Sequence, residues 1–157
     1  LPICINEHAV LETHLGLAFQ AAGFGVWEHH GDDGAMLWNP QLCMLLGYDK
    51  GPGTITASLA MIHPDDRPEV ERKLKEDITA SGMRVQEFRI RDAHGAWRWV
   101  ETRGRTVTRD ARGTPLRTIG IMMDIGERKA AEEEHRLAGA VFAGIKDGIC
   151  IDRKSVV

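Results

Sequence analysis

Several groups of side chains in this 157-residue chain are of types that bind cations or do covalent chemistry. His29 and His30 are adjacent, and His63 precedes Asp65 and Asp66, so each group offers nitrogen or oxygen ligands. Cys43 offers a thiol within Leu42-Cys43-Met44-Leu45, and Gly51-Pro52-Gly53 offers pliable backbone of the kind phosphate loops use. Each group fails on its setting. Neighbouring residues of a strand point to opposite faces, so His29 and His30 are poorly placed to share an ion. His63-Pro64-Asp65-Asp66 reads as a helix start, because Pro lacks the donor that goes unpaired in a first turn and carboxylates favour the positive dipole end. A lone Cys among Leu and Met is core material. The glycine loop lacks a following Lys and a strand-to-helix setting. The expectation is no catalytic constellation, no metal site and no enzymatic activity.

Composition narrows the class. With 43% hydrophobic and 27% charged residues the chain is an ordinary globule rather than a disordered or fibrous one. No apolar run approaches the roughly 20 residues of a membrane-spanning helix, so no direct membrane insertion is expected. The net charge is −3 and the basic residues are interleaved with acids, which argues against nucleic acid as a partner. The three cysteines stand far apart with no Cys-x-x-Cys, which suits a reducing compartment: the cytoplasm, or the cytoplasmic part of a membrane-anchored parent. The opening Leu1-Pro2-Ile3-Cys4 carries neither an initiator Met nor a signal sequence, so the chain is expected to be a piece of a longer one.

The elements follow from periodicity. Apolar residues recur at helical spacing from Asn6 to Ala22, with Asn6 as N-cap and Gly23 as stop. Phe24 to His30 and Ala35 to Trp38, joined by Gly31-Asp32-Asp33-Gly34, form a hairpin pattern. Short helices are expected at Pro40 to Leu46 and Ala57 to Ile62. A longer one after His63 is expected to carry Val70, Leu74 and Ile78 on one face and to end at Gly82. Met83 to Arg91, Ala96 to Thr108 and Pro115 to Asp124 read as strands. Asp92-Ala93-His94-Gly95 and Asp110-Ala111-Arg112-Gly113 join them as turns with Asp first and Gly fourth. A charged helix closes the pattern at about Glu127 to Ala143. The class is α+β: a single antiparallel five-stranded sheet with helices on one face, an N-terminal cap helix and a C-terminal linker helix.

An internal similarity extends this. Leu17 to Trp27 matches Ala140 to Cys150 in outline, with Phe19, Gly25 and Val26 aligning with Phe142, Gly148 and Ile149. Two copies of a helix end followed by Gly and an apolar strand suggest a unit repeated in tandem. The expected organisation is a cap helix over 1–22, a sensor domain over 23–126, a linker helix over 127–143 and the severed start of a second copy over 144–157.

Roughly from Phe24 to Ala131, the chain resembles a PAS domain with its C-terminal PAC motif, a sensor module of bacterial signalling proteins. The resemblance rests on Trp27-Glu28, Trp38-Asn39-Pro40 leading to Leu45-Leu46-Gly47-Tyr48, and His63-Pro64-Asp65-Asp66. It continues in Glu87-Phe88-Arg89-Ile90, Gly95-Ala96-Trp97-Arg98-Trp99-Val100 and Asp124-Ile125-Gly126-Glu127-Arg128-Lys129. Gly126 departs from the family's usual Thr or Ser, whose hydroxyl would cap the outgoing helix. The resemblance implies a sensory and dimerisation module of a multidomain bacterial protein, passing a ligand- or partner-induced change through the C-terminal helix to a downstream output domain. A cyclase, phosphodiesterase or histidine kinase would each use such a module.

The resemblance also frames the cofactors. Light-sensing members carry Asn-Cys-Arg-Phe-Leu ahead of the longer helix and haem-binding members a His on it. This chain has neither, so haem and covalent flavin are disfavoured and no cofactor is expected. A noncovalent flavin or small organic ligand stays open, with Trp27, Trp38, Phe88, Trp97 and Trp99 as candidate pocket lining. Filling the core or standing on the outer sheet face is the competing role of these aromatics. The expected signal relay is Trp99, Asp124, Ile125, Gly126 and Glu127, with Asp124 pairing with Arg98 or a backbone donor near Trp99. A homodimer is expected, and a ligand-free dimerisation spacer is the alternative.

Overall fold

Glycines and side-chain acceptors set the boundaries of the elements in the computed structural model, which describes residues 7–76 and 82–149. Helix α1 (Glu7–Ala22) stops at Gly23, whose φ of 70° lies in the left-handed region that glycine reaches without steric cost. Strands β1 (Phe24–His30) and β2 (Ala35–Trp38) form the expected hairpin, with Trp27 opposite Trp38. Asn39 then caps α2 (Pro40–Leu46). Its Oδ1 accepts the Leu42 amide at 2.9 Å and the Val26 amide of β1 at 2.9 Å, so one carboxamide starts the helix and ties it to the sheet. The expected N-cap Asn6, the apolar Ile78 and residues 150–157 lie outside the described residues.

Three expectations are corrected. The sheet has six strands, not five, in the order β3-β2-β1-β6-β5-β4. The addition is β3 (Gly53–Thr54), a two-residue strand too short to leave a sequence pattern, which pairs with Ala35 and Met36. Helix α3 runs over Ile55–Ala60 rather than Ala57 to Ile62, because the Thr54 hydroxyl accepts the Ala57 amide at 3.1 Å and fixes the start. Helix α4 is described over Arg67–Glu76, after a turn at His63-Pro64-Asp65-Asp66. There Asp66 serves another element: its carboxylate receives Arg89 Nη2 at 2.7 Å, Arg89 Nε at 2.9 Å and the Arg89 amide at 2.9 Å. The guanidinium holds the Asp66 carboxyl below its ordinary range.

Strands β4 (Arg84–Arg91), β5 (Trp97–Arg109) and β6 (Pro115–Asp124) form the expected meander, with β6 also pairing along β1. Both turns are held by their first residue. Asp92 Oδ1 accepts the amides of His94 and Ala96, and Asp110 Oδ1 accepts those of Arg112 and Thr114. The core lies between the sheet's inner face and the helices, built from Leu42, Leu46, Ile62, Val70, Phe88, Ile90, Val100 and Met122.

The chain divides into two compact units, residues 1–124 and 125–157. The second contains α5 (Gly126–Ile149), which extends past the expected end at Ala143. Ile145 to Ile149 therefore lie in helix rather than in a strand opening a second copy. A helix satisfies its backbone groups locally, whereas a strand needs a neighbour to pair with. No helix among the described residues is long and apolar enough to cross a membrane.

Candidate functional site

Alternation along β4 and β5 places a row of side chains against the helices. Gln86, Phe88 and Ile90 of β4 are buried in phase, as are Val100, Thr102 and Gly104 of β5, while the residues between them face outward or lie at the surface in most cases. The inner face does not pack fully against α3 and α4. Between them lies a cavity of about 340 Å³. Its apolar wall includes Met36, Ile55, Leu59, Val70, Leu74 and Met122, and its polar side carries His29, Arg84, Gln86, Thr102, Thr106 and Thr118.

Trp27, Trp38 and Phe88 line this cavity, and Trp99 does not. Trp99 belongs to the opposite phase of β5, where its ring lies 5.3 Å from the guanidinium carbon of its cross-strand partner Arg89. Trp97 is likewise outward and meets the His63 ring at 4.6 Å. Trp27 reaches the site from β1 because two glycines make room for it. A Cβ on Gly104 would stand 2.6 Å from Trp27 Cζ2, and one on Gly120 2.4 Å from the same atom. From that slot Trp27 Nε1 donates to Thr102 Oγ1 at 2.7 Å, and Thr102 Oγ1 donates to the Ile121 carbonyl at 3.0 Å. An indole on β1, a hydroxyl on β5 and a carbonyl on β6 are thereby joined.

The remaining relay candidates lie where β6 ends. Asp124 is its last residue, and its carboxylate receives Arg98 Nη1 at 3.2 Å while Arg98 Nε binds Asp92 at 3.0 Å. The Ile125 carbonyl accepts the Lys129 amide at 2.9 Å, Gly126 is the first residue of α5, and Glu127 sits in its first turn.

Among the described residues, neither a His of α4 nor a Cys lines the cavity. The described α4 carries no His, and the lining's imidazole is His29 on β1, which burial and neighbouring His30 hold below the ordinary histidine pKa. Cys43 is buried on α2 outside the cavity lining, and burial pushes its thiol pKa up. Among the histidines, His30 comes together with Asp32 and Asp33, with one ligand atom from each within 4.8 Å. The hairpin accounts for this cluster: His30 Nε2 meets Glu28 at 2.6 Å, Asp32 accepts the Asp33 amide and Asp33 accepts the Ala35 amide.

Gln86, Thr102, Gly104 and Gly120 escape a reading of motifs. A polar Gln in phase with Phe88 and Ile90 is the sequence signal that marks the first of them. The glycine slot comes from cross-strand adjacency, which only the register reveals.

The PAS fold model matches residues 35–122. The sensor protein FixL of Bradyrhizobium diazoefficiens is 29% identical over 120 residues, covering 76% of this chain and 24% of that protein. A blue-light-activated histidine kinase of Brucella ovis is 28% identical over 138 residues, covering 87% of this chain and 27% of the relative. This chain thus spans about a quarter of the length of both curated relatives. The crystal structure of a sensory box histidine kinase/response regulator from Burkholderia thailandensis superposes with a TM-score of 0.71 at 32% identity, over 82% of this chain and 97% of that one. With the family model matched from β2 through the helices to near the end of β6, the chain belongs to the PAS-fold family and is related to bacterial sensor kinases.

Proposed function

We propose that the chain is a non-enzymatic sensory module of a larger bacterial signalling protein. A small organic molecule in the cavity, a noncovalent flavin among the chemistries that fit, shifts the domain between two packings. β6 then hands the change to α5 through Asp124, Ile125, Gly126 and Glu127. The observation that carries this reading is the Trp27–Thr102–Ile121 chain, which links the cavity wall to β6 shortly before Asp124. A ligand moves such an equilibrium only by its differential affinity for the two states, so tight binding alone would not amount to sensing.

The relatives' names, a sensor protein and a histidine kinase, support a downstream output domain in the parent protein. The test is made there. Coupling free energies between sites correspond to roughly 5- to 150-fold changes in affinity. In the parent carrying Asp124→Ala, the ratio of stimulated to unstimulated output is expected to fall toward one. An unchanged ratio would reject the relay.

A second reading, a ligand-free homodimerising spacer, is favoured by α5. Leu137, Val141 and Ile145 recur every fourth residue and are exposed, as is Phe142. A domain purified dimeric by scattering and empty by mass spectrometry would favour the spacer. A bound metabolite would favour the sensor.

A further inference from the structure

His29 holds a place on the inner face of β1 that suits only one of its two protonation states. It is half-buried in phase with Trp27, opposite Met36 of β2 and Thr118 of β6, and lines the cavity. Among the described residues no carboxylate lines the cavity, and those that α3 and α4 add to the lining are uncharged. The lining's cation is Arg84 of β4, a like charge for an imidazolium. Glu28 and His30 belong to the opposite phase of β1, where Glu28 binds both His30 and Arg117 of β6. Asp33, in the hairpin turn, accepts the Ala35 amide at 2.9 Å. Burial and the neighbouring His30 hold His29 below the ordinary histidine range, and Asp33 offsets them only in part.

Charge on His29 is favoured only where water solvates the whole ring, so a proton works against whatever wall covers it. The weakest part of that wall lies at the sheet edge. β3 is the two-residue outermost strand, beside β2, and α3, which brings Ile55, Ser58 and Leu59 to the cavity, has no buried residue. β1 itself is held on both sides, by β2 and β6. The start of α3 is tied to the hairpin by the pairing of β3 with Ala35 and Met36 and by the Ile55 amide, which donates to the Gly34 carbonyl at 2.9 Å. Elements with few buried contacts open first. We propose that His29 makes this edge an acid-opened flap: when the imidazole takes a proton, β3 and α3 move away from β1 and uncover the ring. The device is separate from the sensory reading above and does not depend on what the cavity holds. Once uncovered, the ring takes its proton at the ordinary histidine value of about 6.5, and the closed flap admits one only at lower pH. The closed form is therefore fully favoured above that value and loses ground as pH falls below it, opening up to about tenfold more often at about pH 5.5.

Amide hydrogen exchange read by NMR at about pH 7.5 and about pH 5.5, corrected for intrinsic rates, tests this. The reporters are the amides of Ile55 and Ala57, whose bonds to Gly34 and Thr54 loosen when the flap opens. In the wild type they are expected to lose protection several-fold at the lower pH, with about tenfold as the ceiling, while the amides shared between β5 and β6 keep theirs. His29→Gln, which takes no proton, is expected to hold Ile55 and Ala57 at one protection at both pH values. His94→Gln, in the turn between β4 and β5, is expected to leave the wild-type loss in place. On the wild-type protein alone, the ring protons of His29 are expected to titrate along the same curve as the loss at Ile55, which keeps the test decisive if His29→Gln fails to fold. Unchanged protection of Ile55 in the wild type while the His29 ring titrates, or an equal loss in His29→Gln, would overturn the flap and leave the sensory reading as it stands.

Discussion

Replacing Gly25 with Ala is expected to destabilise the domain by about 3 kcal/mol or more, at the upper end of what overpacking costs. The reason is the nature of the obstacle. A Cβ at Gly25 would stand 2.3 Å from Leu42 Cβ, 2.4 Å from its Cα and 2.7 Å from its amide nitrogen. These are atoms of the α2 framework, not the end of a flexible side chain, so the helix would have to leave β1. That motion strains the Asn39 bonds to Val26 and Leu42 and opens the core at Leu42 and Leu46, both essentially inaccessible to solvent. Urea unfolding measures the loss. Gly16→Ala in α1, where a Cβ meets nothing within 4 Å, serves as control and is expected to be neutral or slightly stabilising. A Gly25→Ala domain as stable as wild type would mean that α2 does not sit on β1 as described.

The second large effect falls on the indole slot. Gly104→Ala brings a Cβ to 2.6 Å from Trp27 Cζ2 and 2.7 Å from Cη2, with the next neighbour, the Ile119 carbonyl, at 3.2 Å. The expected cost is about 2 kcal/mol. Since the obstacle is one side chain, Trp27→Leu is expected to relieve most of it, giving a coupling of about 1 kcal/mol or more in a double-mutant cycle. Gly120→Ala behaves differently: its Cβ also meets the Arg103 carbonyl at 2.5 Å, and no change at Trp27 removes backbone. Additive effects of Gly104→Ala and Trp27→Leu would place the indole elsewhere.

Local chemistry explains which parts of this structure are legible in its sequence. The two Asp-x-x-Gly turns, the Asn39 cap and the Gly23 stop are set by side chains within a few residues of the backbone they hold, and the strands between them follow. Strand β3 is not legible, because two residues carry no period and its partners lie on β2. The C-terminal half of α5 reads equally as helix or strand, since Val141, Phe142 and Ile145 suit both periods. In the site, Trp27, Trp38 and Phe88 border the cavity and Trp99, of the same residue type, does not. The phase of β5 decides there, with Val100 and Thr102 inward and Trp99 therefore outward. The pairing of Asp124 with Arg98 follows the sequence expectation, whereas the Trp27–Thr102–Ile121 chain joins three strands and needs the register.

Hydrogen exchange along β6 and the first turn of α5, with the cavity saturated by riboflavin, bears most directly on whether a filled cavity is felt at the end of the sheet. Occupancy should steady the Trp27 indole, its bond to Thr102 and the bond from Thr102 to Ile121, so amides from Ile121 to Glu127 are expected to change their exchange rates together with those lining the cavity. Changes confined to α3, α4 and β4, with Ile121 to Glu127 exchanging as in the free protein, would contradict the relay.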